Sequence, residues 1–334
     1  MNHQLKKTIQ FFVFLILGVV LLYFAFRDIN LEKLIDAIIN ANYFWISLSI
    51  LCALIALFFR AARWNMLIVP LGYKPSLLNS FYSLNLGYMA NMAFPRIGEI
   101  TRCAVLGKAE KIPVDSLIGT VILERIIDFI TLVLLITITF FSKIKFFGDF
   151  FINEIFNPLF EKILNSTLLI TIAFSCFAVF ILGFFLLRKK ISKNKFGIKI
   201  TNFLKGMLEG LISLLKMKNK FRFFIYTIVI WLMYFLMTYL MFFSIDATSN
   251  LRPIDGLFIL VAGGIGMTAP VQGGFGAFHW IVSLALMLYG ISQEDGLIYA
   301  TISHESQALF MLVLGAISFF MLFLGRRKLK HNDK

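Results

Sequence analysis

Residues Ala93-Phe-Pro-Arg-Ile-Gly-Glu-Ile-Thr-Arg102 place a proline, a glycine and three ionisable side chains in a chain that is otherwise rich in hydrocarbon. A second charged stretch, Glu124-Arg-Ile-Ile-Asp128, lies inside the next apolar segment. A charge at the centre of a membrane helix costs roughly 2.5–3.5 kcal/mol on insertion scales, so charges in such places are usually functional. The two stretches therefore either line a polar pocket or lie at a membrane surface.

The composition predicts an all-α polytopic membrane protein. Of the 334 residues, 59% are hydrophobic and only 15% are charged, whereas soluble domains average about 25% charged residues. Several apolar runs are long enough to cross a bilayer as helices. These runs are continuous and do not alternate with a period of two, which excludes a transmembrane β-barrel.

The formal net charge of +14 comes from 32 basic and 18 acidic side chains. Because the basic residues cluster between the apolar runs, the positive-inside rule and anionic lipid explain them better than nucleic acid does. We therefore expect membrane lipids, and no nucleic acid, as partners.

Hydropathy predicts one integral membrane domain over residues 1–334 with about six full spans. They lie near residues 8–26, 43–59, 115–141, 166–187, 221–245 and 297–324. A short amphipathic helix is predicted within residues 27–42, at the membrane interface. The basic segment 188–222 is predicted to be a cytoplasmic amphipathic helix, either lying on an anionic leaflet or packed on the bundle.

Two further hairpins are each interrupted by a proline. Residues 77–108 form one, broken at Pro95, and residues 254–289 form the other, broken at Pro270. Positive-inside reasoning places both termini in the cytoplasm and makes the hairpins, re-entrant or paired-helix, enter from opposite faces. Repeat-like halves, 43–141 and 221–324, would then form an inverted repeat, which is typical of transporters. The alternative is that both prolines lie in interfacial turns.

The charged residues allow three interpretations. Arg96, Glu99 and Arg102 are spaced to share one face of a helix, and Glu124, Arg125 and Asp128 occupy one helical turn. An arginine left over from ion pairing would bind phosphate oxygens bidentately. Alternatively, every arginine is neutralised and the network is structural, or Glu99 or Asp128 carries protons.

Other motifs are less decisive. Arg60-Ala-Ala-Arg63-Trp64 has the pattern of an interfacial anchor. Gly273, Gly274 and Gly276 lie where a helix restarts, where free amides could hold an anionic headgroup or where helices could pack closely.

The pattern of chemistry-bearing residues favours neither a metal, nor a cofactor, nor catalysis. The four histidines are too dispersed in sequence to predict a metal site, and no arrangement typical of a catalytic nucleophile is present. We expect no cofactor and find no positive argument for an enzyme.

Four motifs, in order, resemble those of the lysylphosphatidylglycerol synthase transmembrane region, also called the flippase-like UPF0104 membrane proteins. They are Arg60-x-x-Arg63-Trp64, Asn91-x-x-x-Pro95-x-x-Gly98-Glu99-x-x-Arg102, Glu124-Arg125-x-x-Asp128 and Pro270-x-x-Gly273-Gly274-x-Gly276. The resemblance covers nearly the whole chain. It implies a region that flips a lipid between leaflets, preceding a soluble aminoacyl-transferase domain in full-length synthases. The sequence ends at Lys334 without such a domain, so we do not expect lipid lysylation.

These observations predict a lipid transporter of the inner cell membrane, acting on an anionic phospholipid or a polyprenyl-phosphate-linked lipid. The alternatives are a lipid-modifying transferase, an accessory subunit of a separate synthase or glycosyltransferase, and a scaffold. His304 stands where the first half predicts an arginine, which leaves open whether both halves hold the same group. The candidate lipid-binding or gating residues are Arg60, Arg63, Pro95, Arg96, Gly98, Glu99, Arg102, Glu124, Arg125, Asp128, Pro270, Gly273, Gly274, Gly276 and His304.

Overall fold

In a computed structural model, every regular element of the described residues is helical. The structure describes residues 30–142 and 219–332, with side chains up to Leu324, and five residues near the N-terminus: Ile16, Val19, Val20, Leu22 and Tyr23. Nine α-helices lie in these ranges: α1 Leu31–Ile39, α2 Tyr43–Ile68, α3 Leu77–Ala93, α4 Gly98–Glu110, α5 Val114–Ser142, α6 Lys220–Met241, α7 Pro253–Met267, α8 Ala277–Met287 and α9 Gln293–Asn332.

Three of the described helices are long and apolar enough to cross a membrane, judged by length and composition. They cover Tyr43–Leu71, Lys220–Ser244 and Gln293–Leu324, in agreement with three predicted spans. Helix α5 matches the predicted span 115–141 in position. The predicted span 166–187 and most of the basic segment 188–222 lie outside the described residues, as does most of the span 8–26.

The two predicted hairpins are pairs of short helices joined at a break. At a rise of 1.5 Å per residue, α3 and α4, with 17 and 13 residues, are about 26 and 20 Å long. Helices α7 and α8, with 15 and 11 residues, are about 23 and 17 Å long. Each is shorter than the roughly 30 Å hydrocarbon core of a bilayer.

Glycines bring the two helices of each hairpin close together. A Cβ added to Gly87 of α3 would lie 2.7 Å from the carbonyl oxygen of Gly98 in α4. A Cβ added to Gly266 of α7 would lie 2.8 Å from Cα of Phe278 in α8. Both contacts are with backbone, which cannot move aside cheaply, so the crossings require glycine.

By its contacts the chain divides into two compact units, Met1–Asp128 with Met217–Lys334, and Phe129–Lys216. Within the first unit, α2 packs along α6, and α3 packs against α2, α4 and α9. Helix α8 packs against α7 and α9. The core of this unit includes an apolar cluster where α2, α4 and the start of α5 meet, around Trp64, Cys103 and Leu117. This cluster positions the charged residues described next.

Candidate functional site

Glu124, on α5, is the centre of a buried ion network. Its side chain is almost fully buried, and its oxygens lie 2.5 Å from Arg60 Nη2, 2.6 Å from Arg125 Nη2 and 3.1 Å from Arg102 Nη1. A fourth guanidinium, that of Arg63, lies 3.7 Å away. One carboxylate thus faces four arginines drawn from three helices.

Asp128, one turn further along α5, is the second carboxylate of the network and pairs with Arg63 and Arg125. Its oxygens lie 2.6 Å from Arg63 Nη2 and 3.2 Å from Arg125 Nη2. Arg60 is more distant from it, at 3.8 Å. The i, i+4 spacing of Glu124 and Asp128 puts both carboxylates on the same face of α5, which explains why they share arginines.

Arg60 and Arg63 are therefore not interfacial anchors, and that part of the sequence prediction is wrong. Arg63 and Trp64 are fully buried and Arg60 is 6% exposed. Polar groups other than the carboxylates also hold the two arginines, since Arg60 Nη1 donates to the Tyr234 hydroxyl and Arg63 Nη1 donates to Thr227 on α6. A buried charge is retained in this way only when it is paired and hydrogen-bonded.

Aromatic rings complete the surroundings of the arginines. The Arg102 guanidinium lies 4.8 Å from the Trp64 ring centre, and that of Arg60 lies 5.5 Å from the Tyr88 ring centre. The Trp64 indole N–H donates to the hydroxyl of Thr120, at 2.9 Å, which fixes the ring. These cation–π contacts favour positive charge in the absence of water.

The charges of the network do not cancel. Four arginines face two carboxylates, which leaves a formal excess of two positive charges among these six groups. Glu99 lines the adjacent cleft, and counting its carboxylate leaves an excess of one. Arg102 Nη2 and Arg60 Nε, both buried, make no hydrogen bond within the described part of the chain.

A small cleft with a volume of about 30 Å³ opens beside this network. Its polar wall consists of Arg60, Asn91, Glu99, Arg102 and Arg125. The Arg125 side chain is 43% exposed, in contrast to the other arginines of the network. Arg125 is thus the cation best placed to meet a ligand.

The break before α4 supports the cleft and separates Arg96 from it. Gly98 N–H donates to Asn91 Oδ1 at 2.7 Å, so a side chain of α3 caps the start of α4. Arg96 has φ of 61°, in the left-handed region, and precedes α4. The prediction that Arg96 shares a helix face with Glu99 and Arg102 is therefore wrong.

The break between α7 and α8 (residues 268–276) contacts the break between α3 and α4 (residues 94–97) through Arg96. Arg96 Nη2 donates to the carbonyl of Thr268, at 2.9 Å, where α7 ends. A cation at a helix C-terminus offsets its free carbonyls and dipole. Pro95 and Pro270 both lie in the breaks, as the sequence predicts.

Gly273, Gly274 and Gly276 have φ values of 55°, 83° and 79°. L-residues rarely adopt this region, so the three glycines are required by the backbone path. His304 of α9 lies against this break, with its Nε2 2.9 Å from the carbonyl oxygen of Gly273. His304 does not line the arginine cleft.

The four histidines are dispersed in sequence, but two of them, His279 and His304, lie close together in the structure. The ring centres of His279 and His304 lie 5.0 Å apart, because the break brings α8 back against α9. Sequence reasoning also missed Tyr234 and Tyr88 as partners of Arg60, since tyrosines in an apolar run give no pairing signal. Asn91 was recognised only as part of a motif.

Comparison with known proteins identifies the family of this chain. Residues 10–315 match the family described as the lysylphosphatidylglycerol synthase TM region. The chain belongs to this family. It is a membrane protein of a family with a lipid-related role, as its motifs suggested.

One curated relative is a UPF0104 membrane protein of Methanocaldococcus jannaschii, 32% identical over 103 residues. The match covers 30% of this chain and 31% of the relative, so the chain spans about a third of that protein's length. No solved structure matches the chain.

Proposed function

We propose that this protein binds the phosphate of an anionic lipid at the arginine cleft and moves the lipid between the leaflets of the cell membrane. The observation that carries the proposal is the excess of buried positive charge beside an open cleft, with Arg125 partly exposed on its wall. An uncompensated buried charge is costly. A phosphate would supply the missing negative charge and accept the paired N–H groups of a guanidinium.

The arrangement of the hairpins supports a transport role. The two helices of each hairpin cross closely at similar spacings, with Gly87 against Gly98, eleven residues apart, and Gly266 against Phe278, twelve residues apart. We propose that the hairpins are the matching parts of an inverted repeat, entering from opposite faces among six spans with both termini cytoplasmic. Broken helices in such repeats form the midplane sites of known transporter folds.

The substrate we propose is a phospholipid or a polyprenyl-phosphate-linked lipid, with its hydrocarbon in the bilayer. A separate synthase or glycosyltransferase would supply it. The family's lysylphosphatidylglycerol synthase members suggest phosphatidylglycerol as the first anionic lipid to test.

The test is a lipid-scrambling assay in proteoliposomes that contain fluorescent phosphatidylglycerol. Fluorescent phosphatidylcholine is the comparison, because it carries the same phosphate but has no net charge. Arg125→Gln should slow transport of the anionic lipid at least tenfold, because it removes the accessible cation of the cleft. Arg125→Lys should retain part of the rate, since the charge remains but the bidentate fork is lost.

Arg252→Gln is the matched control, because Arg252 is 76% exposed and lies at the start of α7, outside the cleft. Size-exclusion profiles and thermal unfolding establish that each variant is folded. Transport by Arg125→Gln at the rate of the control would overturn the proposal. Product formation lost in Glu99→Gln, with translocation unchanged, would favour a lipid-modifying transferase instead.

A further inference from the structure

Three side chains that carry metal-ligating atoms converge at the second break, on the opposite hairpin from the arginine cleft. His279 on α8, and His304 and Glu305 on α9, bring their ligand atoms within 4.8 Å of one another. Glu305 Oε1 lies 3.1 Å from His304 Nδ1 and 3.3 Å from His279 Nε2. Both histidines are buried, whereas the Glu305 side chain is 42% exposed.

The hydrogen bond of His304 fixes its tautomer. Its Nε2 lies 2.9 Å from the carbonyl oxygen of Gly273, and a carbonyl can only accept, so Nε2 carries the proton. In the neutral ring, Nδ1 then carries a lone pair and can only accept a hydrogen bond. Its neighbour, Glu305 Oε1, is an acceptor as well. Two acceptors at this distance repel each other unless a proton or a metal cation lies between them.

We propose that this cation is a divalent transition metal of the zinc class, bound by His304 Nδ1, His279 Nε2 and Glu305 Oε1. Two histidines and one carboxylate, with a fourth position left open, form a common zinc ligand set. Metal–ligand bonds of about 2.0–2.2 Å in a tetrahedron place neighbouring ligand atoms about 3.3 Å apart. Two of the three separations, 3.1 and 3.3 Å, have this length. The two histidine nitrogens lie within 4.8 Å of each other and would approach to about 3.3 Å on binding.

The groups around the three ligands fit the same assignment. A histidine that binds a metal almost always donates its other ring N–H to a carbonyl or carboxylate, which orients the ring, and Gly273 provides that carbonyl. The rings of Phe275 and Phe278 have centres 4.9 and 5.1 Å from that of His304 and restrict its rotation. The exposed side of Glu305 leaves a route for entry and a place for a fourth ligand.

Binding of the metal would restrict the movement of α8 relative to α9. The metal would join α8 to α9 beside Gly273, where the backbone of the break has left-handed dihedral angles. It would thereby fix the break whose other end is tied to Arg96 through Thr268. The proposal is independent of lipid transport, since it concerns ligand atoms outside the arginine cleft.

The experiment uses the full-length protein, purified without a polyhistidine tag, stripped with a chelator and titrated with Co²⁺ as an optical probe. We expect one Co²⁺ per chain with the intense visible absorption of a four-coordinate site, displacement by Zn²⁺, and a higher unfolding temperature with Zn²⁺. Wild-type protein that binds no stoichiometric Co²⁺ would overturn the proposal without any variant.

Two variants identify the ligands. His304→Gln keeps a donor near the Gly273 carbonyl but removes the Nδ1 ligand, and Glu305→Gln removes the carboxylate with little change of shape. Each should weaken Co²⁺ binding at least tenfold. The control is the double variant His3→Ala with His331→Ala, which removes the other two histidines of the chain and should leave binding unchanged.

Loss of binding in this control, with retention in the two ligand variants, would overturn the assignment. A proton held between His304 and Glu305 would make stability depend on pH in the wild type without stoichiometric metal. That outcome would also refute the proposal.

Discussion

Replacement of Glu124 by glutamine tests whether the buried network holds the first hairpin to α2. The change preserves side-chain shape and one acceptor oxygen but removes the charge that faces Arg60, Arg102 and Arg125 at 2.5–3.1 Å. Asp128 would then be the one carboxylate left among the six groups of the network. The arginines of α2, α4 and α5 would then repel one another without the carboxylate that they share.

The magnitude follows from the number of partners that lose their counter-charge. Breaking one buried ion pair by removing a partner costs about 3–5 kcal/mol, mainly because the other charge stays buried and unpaired. Glu124 serves three close arginines, so we expect the upper end, about 5 kcal/mol. Since 1.4 kcal/mol is a factor of ten, the ratio of folded to unfolded protein should fall by roughly three to four powers of ten.

The assay is reversible unfolding in mixed detergent micelles, followed by tryptophan fluorescence, because Trp64 lies 4.8 Å from the Arg102 guanidinium. Glu32→Gln is the matched control, since Glu32 is exposed in the first turn of α1, where a carboxylate contributes about 0.3–1 kcal/mol. Removing Arg102 as well, as Arg102→Met, should restore part of the loss. A loss within about 1 kcal/mol of the control would refute the network argument.

Two other substitutions test the packing and the surface. Gly98→Ala should destabilise the protein by about 1–3 kcal/mol in the same unfolding assay. The added Cβ would lie 2.6 Å from the Asn91 side chain and would also meet the backbone of Gly87. Stability equal to wild type would contradict the close crossing. Lys33→Met should cost only about 0.2–1 kcal/mol, because the Lys33 ammonium is half exposed where it pairs with Glu294 at 2.8 Å. That pair raises the pKa of Lys33 in the folded protein. The stability that the pair contributes is therefore complete below about pH 10.4, the pKa of an unperturbed lysine, and is lost as the pH rises through the higher pKa of the folded protein. Identical pH dependence of stability in wild type and Lys33→Met would exclude this contribution.

Much of the helical arrangement was predictable because it depends on local pattern. The breaks at Pro95 and Pro270 interrupt apolar periodicity, and the helices on either side begin and end within a few residues of the predicted limits. Glu124 and Asp128 were recognisable as candidate site residues because a charge in an apolar helix is costly. Their spacing alone indicated a shared face.

The partners of these residues were not predictable. Arg60 and Arg63 beside Trp64 have the same sequence pattern whether the residues face lipid headgroups or two carboxylates 64 and 65 residues away. His279 and His304 are brought together by the path of the break between α7 and α8. Such contacts between distant residues depend on tertiary packing, which a single sequence does not report.

The close crossing at Gly87 and Gly98 also restricts where a hydrocarbon tail can run. The two backbones leave no room for a methyl group between α3 and α4, so an acyl chain cannot pass through this seam. A lipid whose headgroup enters the cleft would have to leave its tails on the side of Arg125, where the wall is exposed. In the proposed function, the two glycines would therefore block one side of the lipid's path. The lipid would pass beside α4 and not between α3 and α4.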